Sequence, residues 1–555
     1  MDAIDPMLAA VAALFVALAA LFARERGQLY LTFFQQEEYD APRFLRWLRE
    51  QRAYDRVLTW ALVAVAIVWA LGWRVGAETP FVLMAVALPL GFWRNRAVRR
   101  GTRKKPLVKT QRARRILAVY QTLAVLALIA AVLTTTGLVA VLAVIAIVQL
   151  LPFGLLAADG LLKPFETRVK ARYRAEAVDK LARLDPHVIA ITGSYGKTST
   201  KHILAHILSS VHPTLATPGS VNTEMGITRV IREGLEDRHR YFIAEMGAYG
   251  PGSIARLCRL APPKLAAITA VGWAHYERFR TVEAVFHAKF EMADAAIAAG
   301  GPVVVNADGV PADMLRARLA DRPGDYVLVG GPDSPFDPAI RMTDVAQTAD
   351  GLTLTIAERT ADGGHATTTL TAPLYGLHQA GNIAVAVAIA RRLDLPMETI
   401  KAALATAPQT RHRLEVTRGP NQPAIIDDAY NSNPVGFASA LDLMDVLKGD
   451  GADGHKGRRI LLTPGMVELG AKHDEQHFAL GRRAGETVDV ALVVTPDRIP
   501  TFLDGFNETR ADGAELKTFA AQAEAEAWVK ANARAGDVVL FENNLPDLYE
   551  ARVRF

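Results

Sequence analysis

The residues best equipped for chemistry lie at 188–200, which read Val-Ile-Ala-Ile-Thr-Gly-Ser-Tyr-Gly-Lys-Thr-Ser-Thr. An apolar strand runs into a glycine loop, a lysine and hydroxyls, and this is phosphate-binding equipment. Gly193 and Gly196 let backbone N–H groups turn toward an anion, with Ser194 and Tyr195 between them. Lys197 adds a positive charge, Thr198 offers an oxygen to magnesium, and Ser199 follows. The helix starting at Thr198 points the positive end of its dipole at the same place. The Gly-x-x-Gly-Lys-Thr spacing is two residues tighter than the general Walker A loop.

Further polar residues follow apolar strand-like runs, where open α/β sheets place their ligands. Glu245 ends one run, His275 follows another in Val-Gly-Trp-Ala-His, and Asn306 and Asp308 follow a third. Singly, each has an ordinary structural reading as a solvated acid, a helix cap or a packed histidine. After a phosphate loop, together they point to magnesium, because triphosphates need a divalent ion. Asn382, in Gly-Leu-His-Gln-Ala-Gly-Asn, is placed to hydrogen-bond an adenine edge or to cap a helix. The segment Asp427-Asp428-Ala429-Tyr430-Asn431-Ser432-Asn433-Pro434 carries more polar and turn residues than a plain loop needs. It reads as a second wall of the nucleotide site. Lys289, on a helix after His275, reads in isolation as a surface lysine.

The elements that must position these residues divide the chain sharply. After residue 163 strand-like and helical runs alternate, which predicts parallel sheets with helices on both faces. Strands are expected at 188–192, 241–244, 265–269 and 302–305. A short antiparallel pair is expected at 352–356 and 367–370. A second alternating set begins after Arg413, with strands at 424–427, 459–463, 490–494 and 538–541. The expected fold is therefore an N-terminal multi-span α-helical membrane domain (1–162), a P-loop-type central ATPase domain (163–410) and a Rossmann-like C-terminal domain (411–555).

The membrane assignment rests on five apolar stretches, near 7–23, 57–73, 80–93, 116–133 and 137–158. A helix needs roughly 20 residues to cross a bilayer. The stretch at 80–93 is short and contains Pro89, so it also reads as re-entrant or interfacial. The loop from Arg94 to Arg115 is strongly basic, as is the segment 24–56. Under the positive-inside rule, five spans put the N-terminus outside and everything after residue 158 in the cytoplasm. The basic loop lies between apolar spans and lacks interleaved aromatics. It therefore reads as a topology determinant and anionic-lipid contact, with no nucleic-acid partner. The single cysteine, Cys258, excludes a disulfide framework and a cysteine-based zinc site.

Several of these motifs, in this order, resemble the Mur ligase superfamily, the ATP-dependent amide ligases of peptidoglycan precursor synthesis. Folylpolyglutamate synthases are related to it. The resemblance runs from about residue 185 to the end of the chain. Gly193-Ser194-Tyr195-Gly196-Lys197-Thr198 resembles the family's P-loop, and the segment 217–226, with Asn222 and Thr223, resembles its second, asparagine-bearing loop. The resemblance implies ATP and Mg2+ as cofactors. It implies that Lys197 binds phosphate, that Thr198 and Glu245 serve one magnesium, and that His275 serves a second. Lys289 matches a lysine that reacts with CO2, and the resulting carbamate would act as a carboxylate-like metal ligand. Asn382 matches an adenine-contacting asparagine, and Arg413 an arginine that reaches the phosphates from the interdomain hinge. Asp428, Tyr430, Asn431 and Asn433 most resemble the D-alanyl-D-alanine-adding branch, as does the segment 464–470 with Glu468 and His477. Asp428 is thereby placed near ATP, and Asn222, Thr223, Tyr430, Asn431 and Asn433 near the other substrates.

Two features depart from that branch. Membrane spans stand where the family carries a soluble domain for the UDP end of its substrate, and Glu542 stands where the branch carries a lysine. The implied reaction joins an amino-acid or dipeptide amine to a carboxylate acceptor, lipid-linked or otherwise modified, through an acyl phosphate. The C-terminal domain is expected to swing onto the central one, bringing Arg413 and Asp428 to ATP only when closed. Two other readings compete. One is a poly-amino-acid ligase of the polyglutamate type. The other is an ATP-driven transporter or sensor, against which the spans show no evident carboxylate or lysine to mark a pathway.

Overall fold

The computed structural model describes residues 6–71, 79–100, 106–272, 279, 281–360, 362–430, 433–451, 454–467 and 469–545. His275, Asn431 and Glu468 lie outside the described residues. The chain divides into two compact units, one built on the residues up to Lys170 and the other on Ala171–Leu545.

In the first unit all five apolar stretches are helical: Pro6–Gln36, Val57–Ala70, Thr79–Arg100, Gln111–Thr134 and Gly137–Leu184, with a further helix at Ala41–Glu50. Three of them, Pro6–Gln36, Gln111–Thr134 and Gly137–Leu184, are long and apolar enough to cross a membrane. Val57–Ala70 is apolar but shorter. The stretch that reads as re-entrant forms one helix of 22 residues with Pro89 inside it. The first and last helices run well past the ends of their apolar stretches, because polar, helix-compatible sequence continues the backbone ladder after hydropathy falls.

The helices of this unit also enclose charge. Arg26 is fully buried, donates to Asn95 Oδ1 at 2.7 Å and to the Tyr30 hydroxyl at 3.2 Å, and faces Asp55 at 3.5 Å. A buried arginine is tolerated only when paired and hydrogen-bonded. The cluster therefore fixes the mutual packing of the helices that supply it.

The second unit contains two sheets. The first comprises β1 (His187–Thr192), β2 (Thr214–Ala216), β3 (Tyr241–Glu245), β4 (Leu265–Ile268), β5 (Val303–Asn306), β6 (Tyr326–Gly330), β7 (Ile340–Thr348), β8 (Gly351–Arg359) and β9 (His365–Ala372). Their order is β2-β3-β1-β4-β5-β6-β7-β8-β9. Pairing is parallel from β2 to β7 and antiparallel from β7 to β9. The central strands are near-continuous runs of Val, Ile and Ala because helices cover both faces. β2, β6 and β7 were not expected from the sequence. β2 has three residues, and β7 mixes polar with apolar positions because its outer part is solvated.

The second sheet comprises β10 (Glu415–Thr417), β11 (Ala424–Asp428), β12 (Arg459–Thr463), β13 (Val490–Val494), β14 (Glu515–Phe519) and β15 (Val538–Glu542). Their order is β10-β11-β15-β12-β13-β14, and only the β10 pairing is antiparallel.

This topology decides where ligands go. The chain leaves β1 for one side of the sheet, through β2 and β3, and later returns to the other side at β4. The carboxyl end of β1 is therefore a topological switch point, where the loops part and leave a crevice.

Candidate active site

The phosphate loop occupies that switch point. It follows β1 and leads into the helix Lys197–Ser209, whose first-turn N–H groups face the crevice. Gly196 is required twice over. Its φ of +81° lies in the left-handed region, and a Cβ there would run into Oδ1 of Asn382. The loop is tied to the residues just after β4 by Ser194 N–H to Ala270 O at 2.7 Å and by the Thr269 hydroxyl to Tyr195 O.

Strand register brings the acid to the loop. Ile191 of β1 pairs with Glu245 of β3, so the carboxylate emerges beside the loop's base. Glu245 Oε2 accepts from the Thr198 hydroxyl at 3.0 Å and from Lys201 Nζ at 2.9 Å. Its Oε1 accepts from Asn222 Nδ2 at 3.1 Å. Its own N–H donates to Thr217 Oγ1, and Tyr249 holds Asn222 through Oδ1 at 2.8 Å. Burial pushes the Glu245 pKa up, but Lys201 and Lys197 outweigh it and the net shift is down. A hydroxyl and a carboxylate converging beside a helix N-terminus are the hard oxygen donors that Mg2+ prefers. The residues present therefore fit the ion that the resemblance implies.

The cations are held below their ordinary pKa. Lys197 Nζ donates to Gly193 O at 2.6 Å, folded over its own loop. Burial lowers its pKa, Glu245 opposes this, and Arg413 and Lys201 add to the lowering. Lys201 follows the same pattern. Lys289 is 4% exposed, not the surface lysine it resembles in isolation. Burial, with Lys197 nearby, sets its pKa well below the usual lysine value. Among the described residues it has no hydrogen-bond or ion-pair partner.

Asn382 lies inside the helix Gln379–Arg392, not at its cap. Its Oδ1 accepts from Thr200 at 3.2 Å and its Nδ2 donates to Gln379 at 2.8 Å, so its amide braces the loop from below. Thr223 and Asn433 cap the helices Glu224–Gly234 and Pro434–Leu447. Asp308 accepts from the Gly331 N–H, and Asn306 lies against Gly381. Among the described residues neither is hydrogen-bonded to Glu245 or Thr198.

Arg413 lines one cleft with Ser199, Gln379 and Leu414. Its charge reaches Lys197, Lys201 and His378, and contributes to lowering all three. Arg413 and Ser199, which lies in the first turn of the helix that the loop leads into, thus line the same cleft in this conformation. Asp428 is 7% exposed and accepts the Leu414 N–H at 3.1 Å. Burial raises its pKa to about 6 against the pull of Arg413. Tyr430 is half-exposed, with its ring 4.7 Å from the Arg413 guanidinium carbon.

Sequence reasoning missed Lys201, although the signal was present. It lies four residues after Lys197, one turn on along the same helix face. Thr200, Thr217, Thr269 and Gln379 gave no such signal, because hydroxyls and amides at helix and strand ends are too common to single out.

Comparison with known proteins agrees with this geometry. Residues 191–390 match the Mur ligase middle domain and residues 412–542 match the Mur ligase glutamate ligase domain. Over 371 residues the chain is 32% identical to the UDP-N-acetylmuramoyl-tripeptide--D-alanyl-D-alanine ligase of Mycobacterium leprae, covering 64% of this chain and 70% of that protein. The fold resembles MurF from Acinetobacter baumannii, with a TM-score of 0.57 and 23% identity over 68% of this chain and 78% of the other. It also resembles MurF from Thermotoga maritima in complex with ADP, with a TM-score of 0.56 and 24% identity over 69% and 82%. The chain belongs to the Mur ligase family of ATP-dependent amide ligases.

Proposed function

We propose that this chain is a membrane-anchored Mur-type ligase of cell-envelope precursor synthesis. Its amine substrate is D-alanyl-D-alanine, as the names of its relatives indicate, and its acceptor is a carboxylate presented at the membrane, lipid-linked or otherwise modified. The observation that carries the reading is the convergence of Thr198, Lys201 and Asn222 on Glu245 beside a lysine-bearing phosphate loop. Its setting supports the rest: a chain that matches both Mur ligase domains and also has three helices long and apolar enough to cross a membrane.

The chemistry follows from the parts. An amine does not attack a carboxylate at a useful rate, because oxide is a poor leaving group. Transfer of the γ-phosphoryl group of ATP makes an acyl phosphate, and attack by the amine then releases phosphate. Charge builds on the transferring group, and Lys197 and Arg413 are the residues that offset it. Mg2+, when bound, would supply further charge neutralisation; Thr198 and Glu245 would hold one ion, and His275 and Lys289, if carbamylated, would serve a second. Gly193, Ser194, Tyr195, Gly196 and Ser199 cradle the phosphates, and Asn382 and Asp428 face the nucleoside side. Asn222, Thr223, Tyr430, Asn431 and Asn433 are assigned to the acceptor and amine by the family resemblance.

We read residues 1–162 as the membrane domain, 163–410 as the central domain and 411–555 as the C-terminal domain. Val57–Ala70 and Thr79–Arg100 complete five spans. The N-terminus is then outside and the catalytic domains lie on the cytoplasmic side of the inner membrane, the orientation that the basic segments at 24–56 and 94–115 favour. The test is ligation by the full chain in nanodiscs, with soluble UDP-linked and lipid-linked acceptors compared. A preference for the lipid-linked acceptor supports the reading. Equal use of the soluble acceptor by a chain lacking the first 162 residues contradicts the membrane-presented acceptor. A ladder of repeated additions in the product mass spectrum would identify a polymerising ligase instead.

A further inference from the structure

Arg413 sits between two residues in an uncommon backbone conformation. His412 has φ +58° and Leu414 has φ +48°, both in the left-handed region that disfavours non-glycine residues. Such a conformation persists only when its surroundings hold it. Here they do so from both sides. His412 Nδ1 lies 2.7 Å from Asp427 Oδ2, and Asp427 Oδ1 accepts the Ala429 N–H at 3.1 Å, which fixes the carboxylate. The Leu414 N–H donates to Oδ1 of the next residue, Asp428, at 3.1 Å. The His412 N–H donates to Glu415 at 3.1 Å, and the Tyr430 N–H donates to His412 O at 3.3 Å. The Tyr430 ring then lies against the guanidinium itself.

We propose that His412 and Asp427 are positioning residues for Arg413: their side-chain link and the Asp428–Leu414 bond form a two-sided clamp that aims the guanidinium at the phosphates of ATP. The inference rests on the reading of Arg413 as the phosphate-facing arginine. The alternation of side chains along β11 explains why two consecutive aspartates serve one arginine. Asp427 and Asp428 point to opposite faces of the strand end, so one reaches the residue before Arg413 and the other the residue after it. A flexible arginine would lose rotamer freedom each time it met the nucleotide, and a clamped one is already ordered.

The test is a double-mutant cycle between His412 and Arg413 in the full chain in nanodiscs. His412→Gly removes the imidazole and tolerates the left-handed backbone. Asp427→Asn keeps the shape and a hydrogen-bonding oxygen and serves as the conservative variant. Two quantities are read for each variant: kcat, and affinity for the magnesium complex of a non-hydrolysable ATP analogue. We expect His412→Gly to lower kcat by about tenfold to a hundredfold, with an unchanged thermal midpoint and an unchanged KM for the amine. Asp427→Asn should lose less. In an Arg413→Ala background His412→Gly should cost nothing further in analogue affinity, because the residue it serves is gone. The same loss from His412→Gly with and without Arg413 would overturn the clamp and leave the reading of Arg413 standing. An Arg413→Ala variant with wild-type kcat and affinity would overturn both.

Discussion

Lys201 Nζ lies 2.9 Å from Glu245 Oε2, and the two side chains are 0% and 1% exposed. The same oxygen also accepts the Thr198 hydroxyl. Removing one partner of a buried ion pair strands the other charge, at a cost of about 3–5 kcal/mol. Lys201→Met should therefore lower the thermal midpoint in magnesium-free buffer. Magnesium should restore much of the loss, because a divalent ion at Thr198 and Glu245 would supply the missing charge. Differential scanning fluorimetry with and without Mg2+ checks this. A loss that magnesium does not touch would place the ion elsewhere.

Lys197 has the simplest expected outcome. Its ammonium is the one cation that the loop itself carries, so Lys197→Ala should reduce phosphate release by at least about a hundredfold, the effect of losing one preorganised charge donor. The protein should stay folded, since the side chain's hydrogen bonds are to its own loop carbonyls. Kinetics and circular dichroism on the same preparation separate the two effects.

Burial sets the Lys289 pKa well below the usual lysine range. The shift favours the neutral amine over the ammonium, and the neutral amine is the form that adds to CO2. Carbon-13 bicarbonate should give a carbamate signal that disappears in Lys289→Arg and on acidification. The absence of any such signal in the active enzyme would rule out carbamylation.

Asp428 gives a pH dependence of defined sign. Its folded pKa is raised to about 6 by burial, above the ordinary aspartate value of 3.8, so the native state holds a proton that the unfolded state has lost between these two values. Stability contributed by this group is therefore present below about pH 4 and declines as pH rises toward 6 and above. The full shift corresponds to about 3 kcal/mol as an upper bound. Asp428→Asn should remove this decline. The gap in unfolding free energy between variant and wild type should widen in the variant's favour from pH 4 to pH 7. A constant gap would contradict the raised pKa.

Much of the fold was legible because its central strands are buried on both faces. β1, β3, β12 and β13 read as unbroken apolar runs with sharp ends. β14 and the helix Pro500–Thr509 were not legible, because Glu515–Phe519 is half-solvated and mixes charged with apolar residues. The loop and Glu245 could be read because strand ends concentrate ligands in such sheets. Lys289 could not be read from its own neighbourhood. Its burial depends on packing between helices, which local sequence does not encode, and only the family resemblance pointed to it. The buried Arg26 of the helical unit escaped for the same reason, since its partners Asn95 and Asp55 are distant in sequence.

The most direct test of the central claim is phosphate release from ATP by the full chain in lipid vesicles, with D-alanyl-D-alanine and a muramoyl-peptide carboxylate acceptor added separately and together. Release that requires both, yields the amide product in equal amount and vanishes in Lys197→Ala is the result predicted here. Release that proceeds at the same rate without either amine or acceptor would contradict the ligase and favour an ATP-driven transporter or sensor.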